Sequence, residues 1–528
     1  MPLPKVRKSF EPAVQKMLAD YRARIDAARV YEVARITPLE CAKKLSARLG
    51  NTVWMKREDL QPVHSFKLRG AYNKIIGLPE SERARGVICA SAGNHAQGVA
   101  LAGKKLGIPT LIVMPRTTPA IKVEAVKALG GKVVLHGDAY DEACEHADLL
   151  AAEKGLAFVH PYDDAEVIAG QGTVGKEILE QMGGTKLDAL FVCVGGGGLL
   201  AGVAAYVKAV SPATRIISVE PDDSDCFAKA YEAGRRVTLP QVGLFADGVA
   251  VKQVGAEPWR VARPLVDEVL RVSVDEICAA IRDVFNETRS VPEPAGALAL
   301  AGLKKWVALH GVSGMNLAAT ISGANVNFDR LRHIAERAEM GDATEALLAV
   351  TIPEQPGSFR RLLKQLGRRV ITEFNYRYGS ATSAHIFVGF KLAEAGETAG
   401  LIAQLETLGY PVVDLSQDEL AKTHVRYMVG GLGGVAPKGV EEHLFRFEFP
   451  ERPGACLDFL NAVGAQFNIS LFHYRNHGAA YGRVLAGLQV PRGKLTECRA
   501  ALAELGYPFW EESANPAYKL FLANHHAE

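Results

Sequence analysis

One lysine stands between apolar residues in the stretch HSFKLRGAY, residues 64–72, and its amine could do chemistry. Lys67 follows Phe66 and precedes Leu68. An amine held among apolar side chains loses its proton readily, so it is a candidate to form a Schiff base with an aldehyde. The alternative is a solvated helix charge, which is the usual role of a lysine. We interpret Arg69 as such a surface charge and expect Arg69→Ala to have a mild effect.

Four consecutive glycines, Gly195 to Gly198, lie between an apolar run and a predicted helix in FVCVGGGGLLAG. The helix is expected to begin near Leu199, and backbone N–H groups at a helix N-terminus bind phosphate. Hydrogen bonds with a charged partner contribute about 1.5–3 kcal/mol each, so a few amides hold a phosphate firmly. A tight turn alone needs one or two glycines, and four favour the close approach of a ligand.

The same glycines also fit a different cofactor. Gly196, Gly198 and Ala201 match G-x-G-x-x-A, and Glu220 ends the next predicted strand about twenty residues later. This pattern is typical of dinucleotide sites and would indicate an NAD-dependent dehydrogenase. Such an enzyme would leave Lys67 without a role.

A polar loop, SAGNHAQG at residues 91–98, follows the predicted strand GVICA. Open α/β sheets bind ligands at the carboxyl ends of their strands, and four polar side chains gather here: Ser91, Asn94, His95 and Gln97. One of them would suffice as a helix cap, and a single histidine is more often a local hydrogen-bonding residue than a catalyst. Together, the lysine, the glycines and the loop suit pyridoxal phosphate, which has an aldehyde, a phosphate and a ring to be oriented.

These motifs are positioned by an alternation of short apolar runs and helical patterns between about residues 50 and 330. The runs are typical of buried parallel strands joined by crossover helices, and they are GVICAS, TLIVMP, KVVLHG, LFVCVG, RIISVE and AATISG. An apolar stripe between Phe10 and Ile25 predicts a further amphipathic helix. We therefore expect an α/β catalytic domain over residues 1–335, made of two subdomains with the cofactor between them.

The rest of the chain contains an internal repeat with an offset of 97 or 98 residues. The matching pairs are IPEQPGSFRRLLKQLG with FPERPGACLDFLNAVG, FNYRYG with FHYRNHG, and LETLGYPV with LAELGYPF. Each copy predicts the order strand, helix, strand, strand, helix, strand of an α+β ferredoxin-like module. We assign the modules to residues 343–425 and 440–523, on either side of a linker, VGGLGGVAPKG.

Composition excludes several classes of protein. The 528 residues are 48% hydrophobic and 23% charged, as in ordinary globular proteins, and a net charge of +2 gives no indication of nucleic acid or a membrane as partner. Eight cysteines without paired spacing favour reduced thiols in the cytoplasm and no metal site. The uncharged stretch 189–207 could pass for a membrane span, but glycines interrupt its middle. The opening MPLPKVRK has no apolar segment of a secretory signal.

Four motifs, in their order and spacing, resemble the fold-type II pyridoxal-phosphate enzymes, which have the tryptophan synthase β-like fold. The motifs are SFKLRGA, SAGNHAQG, GGGGL and, at residues 322–325, SGAN. This family includes serine racemase, threonine synthase and the threonine and serine dehydratases. Two ferredoxin-like modules after such a domain are similar to the ACT-like regulatory modules of the biosynthetic threonine dehydratases, and this resemblance covers nearly the whole chain.

The resemblance implies a role for each matching residue. Lys67 corresponds to the Schiff-base lysine, Asn94 to the partner of the ring hydroxyl, and Ser322 to the partner of the pyridine nitrogen. A hydroxyl beside that nitrogen, in place of a carboxylate, suits elimination. The implied cofactor-binding residues are Phe66, Lys67, Asn94, Gly195, Gly196, Gly197, Gly198, Leu199 and Ser322. The implied substrate-binding residues are Ser91, Gly93, Asn94 and His95, whose backbone amides would receive the substrate carboxylate.

The resemblance also implies an activity. It is the pyridoxal-phosphate-dependent conversion of L-threonine to 2-oxobutanoate and ammonia, the first step of isoleucine biosynthesis, by a homotetramer. Feedback inhibition by L-isoleucine, with L-valine as candidate antagonist, is expected at the modules. Ala92 replaces the second serine that racemases of this fold carry, so racemisation is not expected. The alternatives are an L-serine dehydratase of the same fold, the NAD-dependent dehydrogenase, and an amino-acid sensor with an inert front domain.

Overall fold

The apolar runs form the strands at the centre of the first unit, Met1–Gly341, in the computed structural model of the protein. The second unit is Asp342–Glu528. The structure describes residues 3, 6, 9–137, 140–328, 330–342, 344–355, 357–377, 382–392, 397–423, 425–427, 439–450, 457, 459–461, 467–475, 481–515, 518 and 522.

The first unit alternates helices and strands along the chain. Its first half contains α1 (Pro12–Asp26), β1 (Leu39–Cys41), α2 (Lys43–Leu49), β2 (Thr52–Arg57), α3 (Lys67–Ile76), α4 (Glu80–Arg85), β3 (Val87–Ala90), α5 (Asn94–Leu106), β4 (Thr110–Met114), α6 (Ala120–Ala128), β5 (Lys132–Leu135), α7 (Tyr140–Lys154) and β6 (Ala157–Phe158). Its second half contains α8 (Ala165–Gln181), β7 (Ala189–Cys193), α9 (Gly198–Val210), β8 (Arg215–Pro221), α10 (Cys226–Ala233), α11 (Ala256–Ala262), β9 (Glu268–Val272), α12 (Val274–Thr288), α13 (Pro294–His310), β10 (Asn316–Ile321) and α14 (Arg330–Gly341). Short 3-10 turns lie at Val30–Glu32, Glu58–Leu60 and Asp247–Val249.

Two sheets divide the first unit into subdomains. The larger sheet has six strands in the order β1-β2-β10-β7-β8-β9, and the smaller has four in the order β5-β4-β3-β6. All neighbouring strands are parallel except β1 and β2. All six predicted apolar runs form strands of these sheets, namely β3, β4, β5, β7, β8 and β10, and the predicted α/β fold class is confirmed. Strands β3, β7 and β10 each lead directly into one of the motifs.

The chain ahead of these sheets and the uncharged stretch 189–207 also follow the predicted pattern. Helix α1 buries Met17, Leu18, Tyr21 and Ile25 on one side. Stretch 189–207 forms strand β7, the glycine loop and most of α9, all within one core. Among the described residues, no helix is long and apolar enough to cross a membrane.

Helix α14 extends the first unit beyond the expected boundary at residue 335. Ile334 and Ala338 are buried in the core of this unit, and the Arg337 guanidinium donates a hydrogen bond to the Asp275 carboxylate on α12. The chain therefore divides after α14, at Gly341.

The second unit is built on one antiparallel sheet of eight strands. Its first copy contains β11 (Glu345–Pro353), α15 (Ser358–Leu366), β12 (Ile371–Arg377), β13 (Ser383–Lys391), α16 (Glu397–Thr407), β14 (Val412–Asp414) and, after it, α17 (Glu419–Thr423). Its second copy contains β15 (Val440–Pro450), β16 (Asn468–Arg475), β17 (Tyr481–Pro491), α18 (Leu495–Glu504) and β18 (Phe509–Glu511). The first copy has the predicted ferredoxin-like order. The linker at 429–438 and the second PERPG turn lie outside the described residues.

The two copies join through the pair β12 and β16 in the sheet order β14-β11-β13-β12-β16-β17-β15-β18. Phe374 lies opposite Tyr474 and Tyr376 opposite Phe472 across this pair. All four aromatic side chains are buried in one shared core. They hold the copies together as a single sheet, which is the packing role expected for most buried aromatic residues.

Helices α8 and α9 approach each other closely through glycines. A Cβ atom added at Gly202 would lie 2.3 Å from the Ile168 backbone oxygen and 2.6 Å from the Gly172 backbone nitrogen. Both neighbours are backbone atoms of α8, so relief of such a contact requires the helices to move apart. The glycines therefore fix the distance between these helices, and α9 begins at the glycine loop.

We predict that Gly202→Ala destabilises the first unit by about 1–3 kcal/mol, because overpacking forces buried backbone apart. Urea unfolding followed by circular dichroism measures the effect. The matched control is Gly400→Ala in exposed α16, where an added Cβ meets nothing within 4 Å. That change should stabilise the second unit by about 0.5–1 kcal/mol. If the first unit of Gly202→Ala unfolds at the same urea concentration as that of the wild type, the glycines do not fix the distance between α8 and α9.

Candidate active site

A cavity of about 420 Å³, including its open mouth, lies where the motifs meet at the carboxyl ends of the strands. Its lining residues are Phe66, Lys67, Asn94, Tyr162, Cys193, Gly195, Gly196, Gly197, Gly198, Leu199, Gly248, Val249, Glu293, Ala295 and Ser322. All nine predicted cofactor-binding residues belong to this set. The structure thus brings together the four motifs, which are far apart in the chain.

Lys67 is the first residue of α3, and its amine faces the cavity. The Nζ atom donates a hydrogen bond to the Pro161 backbone oxygen at 2.9 Å and lies 5.5 Å from the centre of the Phe66 ring. Burial lowers the pKa of Lys67 to about 8, although Cys193 and Glu293 oppose this shift. The amine is therefore much more often unprotonated at neutral pH than that of a solvated lysine, whose pKa is about 10.4.

The glycine loop leads from β7 into α9, which begins at Gly198. A Cβ atom at Gly196 would lie 2.1 Å from the ring of Tyr162, and one at Gly195 would lie 2.8 Å from the Cα of Val249. Gly197 has a φ of +91°, a conformation that side chains rarely allow. The loop thus has no room for side chains, and its backbone and the start of α9 form one wall of the cavity.

Asn94 is the first residue of α5 and links two other residues through its side-chain amide. Its Nδ2 donates to Glu293 Oε1 at 2.6 Å, and its Oδ1 accepts from Asn325 Nδ2 at 2.6 Å. Burial raises the pKa of Glu293 to about 7, and the nearby Asp247 carboxylate contributes to the same shift. Glu293 is therefore an ionisable group inside the cavity.

Ser322 follows β10 and is almost fully buried. Its hydroxyl donates to the Ala295 backbone oxygen at 3.2 Å and lines the cavity. A hydroxyl at this place can also accept a hydrogen bond or donate to a different acceptor.

The other residues of the polar loop, Ser91, Gly93 and His95, do not line the cavity in this structure. Gly93 precedes α5, and its N–H donates to the Ser91 hydroxyl at 3.3 Å. The buried His95 ring has its Nε2 at 2.8 Å from the Val159 backbone oxygen, and burial lowers the pKa of His95 to about 3. His95 thus makes a local contact with the backbone in this structure, and the substrate-binding role of this loop stays a prediction.

Six lining residues were absent from the predicted set, and they are Tyr162, Cys193, Gly248, Val249, Glu293 and Ala295. Cys193 ends the buried strand β7 two residues before Gly195, so its place at a strand end was a usable signal. Glu293 precedes Pro294 at the start of α13, which is an ordinary helix-start pattern. No pattern within the sequence connects it to Asn94, which lies 199 residues earlier.

The buried environment of Glu220 shows that the dinucleotide interpretation of Gly196, Gly198 and Ala201 is wrong. The Glu220 carboxylate accepts hydrogen bonds from the backbone N–H groups of Phe227 at 2.8 Å and Ala228 at 2.7 Å. Burial raises the pKa of Glu220 to about 8. The carboxylate caps α10 inside the core and is therefore unavailable to a ribose.

Arg69 is also a correction, because it is fully buried rather than a surface charge. Its guanidinium pairs with Glu58 at 2.8 Å and with Glu177 at 2.6 Å, and Lys56 pairs with Glu177 at 2.5 Å. Arg69 stands two residues after Lys67 on α3. The cluster therefore fixes the helix that carries the amine to the end of β2 and to α8.

The residues present fit pyridoxal phosphate. The cavity offers an amine with a lowered pKa to an aldehyde and a glycine loop at a helix N-terminus to a phosphate. Asn94 and Ser322 line the same cavity, so their amide and hydroxyl groups are available as hydrogen-bond partners for a ring hydroxyl and a ring nitrogen. The fold and this site define a pyridoxal-phosphate-dependent enzyme of fold type II.

Comparison with known proteins places the chain within this class. The family model of pyridoxal-phosphate dependent enzymes matches residues 30–323, and that of the C-terminal regulatory domain of threonine dehydratase matches residues 336–425 and 434–522. The biosynthetic L-threonine dehydratase of Burkholderia multivorans is 55% identical over 96% of this chain and 99% of its own length. That of Escherichia coli is 52% identical over 96% of this chain and 97% of its own length.

Solved structures give the same result. The processed form of threonine deaminase isoform 2 from Solanum lycopersicum has a TM-score of 0.61 and 46% identity, over 64% of this chain and 92% of its own. Maize serine racemase has a TM-score of 0.55 and 34% identity, over 60% of this chain and 95% of its own. The chain belongs to the biosynthetic threonine dehydratases, with a C-terminal regulatory region.

We predict that Arg69→Ala destabilises the first unit by about 3–5 kcal/mol, because the buried Glu58 and Glu177 lose the guanidinium that pairs with both, and Glu177 is left with Lys56 alone among these cations. Thermal and urea unfolding of the purified protein measure the loss. The control is Arg29→Ala, which removes an exposed pair with Glu32 and should cost no more than about 1 kcal/mol. Equal small losses in both variants would show that the buried cluster does not hold α3.

Proposed function

We propose that this chain dehydrates and deaminates L-threonine to 2-oxobutanoate and ammonia. The observation that carries the proposal is the meeting of Lys67, the glycine loop and Ser322 around one cavity in a chain of this family. When bound there, pyridoxal phosphate supplies an aldehyde for the lysine and a ring that withdraws electrons from the substrate Cα.

The residues of the chain bind, orient and move protons. The backbone amides of Gly195 to Gly198 would hold the phosphate, the Asn94 amide and the Ser322 hydroxyl would orient the ring, and the apolar walls would limit water. The free amine of Lys67 would take the proton from the substrate Cα. Loss of this proton and of the Cβ hydroxyl removes water, and the released enamine takes up water and loses ammonia.

We name threonine as the substrate because the relatives are L-threonine dehydratases. No side chain in the cavity is assigned to the methyl group that distinguishes threonine from serine. Steady-state kinetics with L-threonine and L-serine test it. A higher kcat/KM for threonine is expected, and a higher value for serine would favour the serine dehydratase. Because Ala92 has no hydroxyl that could act as a second base, we expect the formation of keto acid without accumulation of D-serine.

We predict that Lys67→Ala abolishes both the violet absorbance of the lysine-bound cofactor and turnover of threonine. Lys74→Ala is the control, since Lys74 lies on the same helix but pairs with Asp164 outside the cavity. It should retain both signals. Turnover of Lys67→Ala near the wild-type rate would disprove the role of the lysine as base.

We further predict that uptake of pyridoxal phosphate by the cofactor-free protein accelerates with pH and levels off above about pH 8. The free amine is the reactive form, and its fraction grows as the pH rises through the pKa of Lys67, which burial lowers to about 8. Stopped-flow absorbance measures the rate. A rate still rising steeply between pH 9 and about pH 10.4, the pKa of a solvated lysine, would show that the amine is not perturbed.

We also propose that the second unit binds L-isoleucine as feedback inhibitor, with L-valine as antagonist. Support comes from a cleft of about 250 Å³ between the two copies, lined by Gly357, Phe359, Arg360, Leu460, Phe467, Asn468 and Ile469. The cleft has apolar walls, and Arg360 could receive a carboxylate. Nearby, Glu354 accepts hydrogen bonds from Tyr376 and Asn468, and burial raises the pKa of Glu354.

We predict that Arg360→Ala raises the isoleucine concentration for half-inhibition about 10-fold or more, since a charged hydrogen bond contributes about 1.5–3 kcal/mol. Activity without isoleucine should remain unchanged. Arg361→Ala is the matched control, because the neighbouring Arg361 donates to Ser358 and does not line the cleft. If both variants respond to isoleucine like the wild type, the effector does not bind in this cleft.

The homotetrameric state and the cytoplasmic location stay predictions of the family resemblance. Analytical ultracentrifugation of the cofactor-loaded protein tests the first, and a mass of four chains is expected.

A further inference from the structure

Glu293 is a buried carboxylate that lines the cavity, and the proposed reaction does not use it. Only 4% of its surface is exposed, and it belongs to the cavity lining together with Lys67 and Asn94. It precedes α13, so the first turn of that helix and the loop before it hold its backbone. A buried carboxylate has a large desolvation cost, and such groups persist where a partner or a function requires them.

The Glu293 carboxylate is one end of a chain of hydrogen bonds whose direction is fixed at both ends. Asn325 Nδ2 donates to the Val63 backbone oxygen at 2.9 Å and to Asn94 Oδ1 at 2.6 Å. At the other end, Asn94 Nδ2 donates to Glu293 Oε1 at 2.6 Å. A backbone carbonyl and an ionised carboxylate only accept hydrogen bonds, so with Glu293 ionised neither end can be reversed without loss of a bond. The two ends thus determine which side of the Asn94 amide carries its nitrogen.

The space around Glu293 is shaped for its carboxylate. A Cβ atom at Gly323, within the motif SGAN, would lie 2.5 Å from Glu293 Oε1. A Cβ atom at Gly248 would lie 3.6 Å from the same oxygen. Glycine at position 323 therefore leaves the room that the carboxylate occupies.

We propose that Glu293 is a positioning residue that fixes the orientation of the Asn94 amide toward the cofactor ring. The inference rests on the proposed pyridoxal-phosphate-dependent function. With one Nδ2 hydrogen on Glu293, the second hydrogen of the Asn94 amide is left for the ring hydroxyl. A rotated amide would present its oxygen instead, and a ring oxygen that has lost its proton would then meet an acceptor.

The test is a double-mutant cycle on the full-length enzyme, with the dissociation constant of pyridoxal phosphate as readout. Glu293→Ala and Asn94→Ala should each weaken cofactor binding about 10- to 100-fold, the equivalent of one charge-assisted hydrogen bond. The double variant should be no more than about 2-fold weaker than the weaker single variant, because both changes remove the same interaction. Losses that multiply would overturn the proposal, since they show that Glu293 acts independently of Asn94.

A second pair of variants keeps the test informative if Glu293→Ala fails to fold. Glu293→Gln retains an acceptor for Asn94 and should bind the cofactor within about 5-fold of the wild type. Glu293→Asp retains the charge, but its shorter side chain places the carboxylate farther from Asn94, so its affinity for the cofactor should fall about 10-fold or more. The reverse order would show that charge and not orientation matters, and would overturn the proposal. The absorbance maximum of the bound cofactor should move in Glu293→Asp and remain in place in Glu293→Gln.

The matched control is Glu268→Gln, which changes a carboxylate bonded to Trp306 and His310 outside the cavity. It should bind the cofactor like the wild type. Failure of the proposed function is seen separately, as a wild-type protein that neither binds pyridoxal phosphate nor consumes threonine.

Discussion

The buried charges around Arg69 determine where the reactive amine stands. Arg69 and Lys67 are on the same first turn of α3, but their surroundings differ. Two carboxylates surround the guanidinium, whereas the amine faces a cavity with a backbone carbonyl as its hydrogen-bond partner. The paired charge keeps the helix start in place, and the unpaired amine keeps a lowered pKa. The structural charge and the reactive amine therefore stand only two residues apart, on the same turn of α3.

The strand pattern and the motifs were predictable because they depend on local sequence. A parallel strand covered on both faces is apolar throughout, and β7 is buried at every residue. The glycine loop was likewise predictable, because four consecutive glycines carry no side chains and leave room for a ligand. Three of the motifs follow parallel strands, where open α/β sheets bind ligands. These strands belong to two sheets, β3 to the smaller and β7 and β10 to the larger, so the meeting of the motifs depends on how the two subdomains pack.

Charged residues in the interior were not predictable in the same way. Arg69 appeared to be a surface residue because its partner Glu177 is 108 residues away in the chain. Glu220 fitted a dinucleotide pattern, although its carboxylate caps a helix inside the core. In each case, the partner that decides whether a charge is buried comes from a different element, and a single sequence contains no signal for that pairing.

The pairing of β12 with β16 makes the two halves of the second unit mutually dependent. Each strand offers its backbone N–H and C=O groups to the other half, and both carry aromatic side chains in the shared core. A half on its own would keep the pairing of β12 with β13 or of β16 with β17 but would expose the other edge of that strand, and an exposed strand edge is a template for aggregation. Although the two copies are similar in sequence, their shared strand pair joins them in one sheet and one core, so we expect an insertion between them to be tolerated only where it leaves this pair intact.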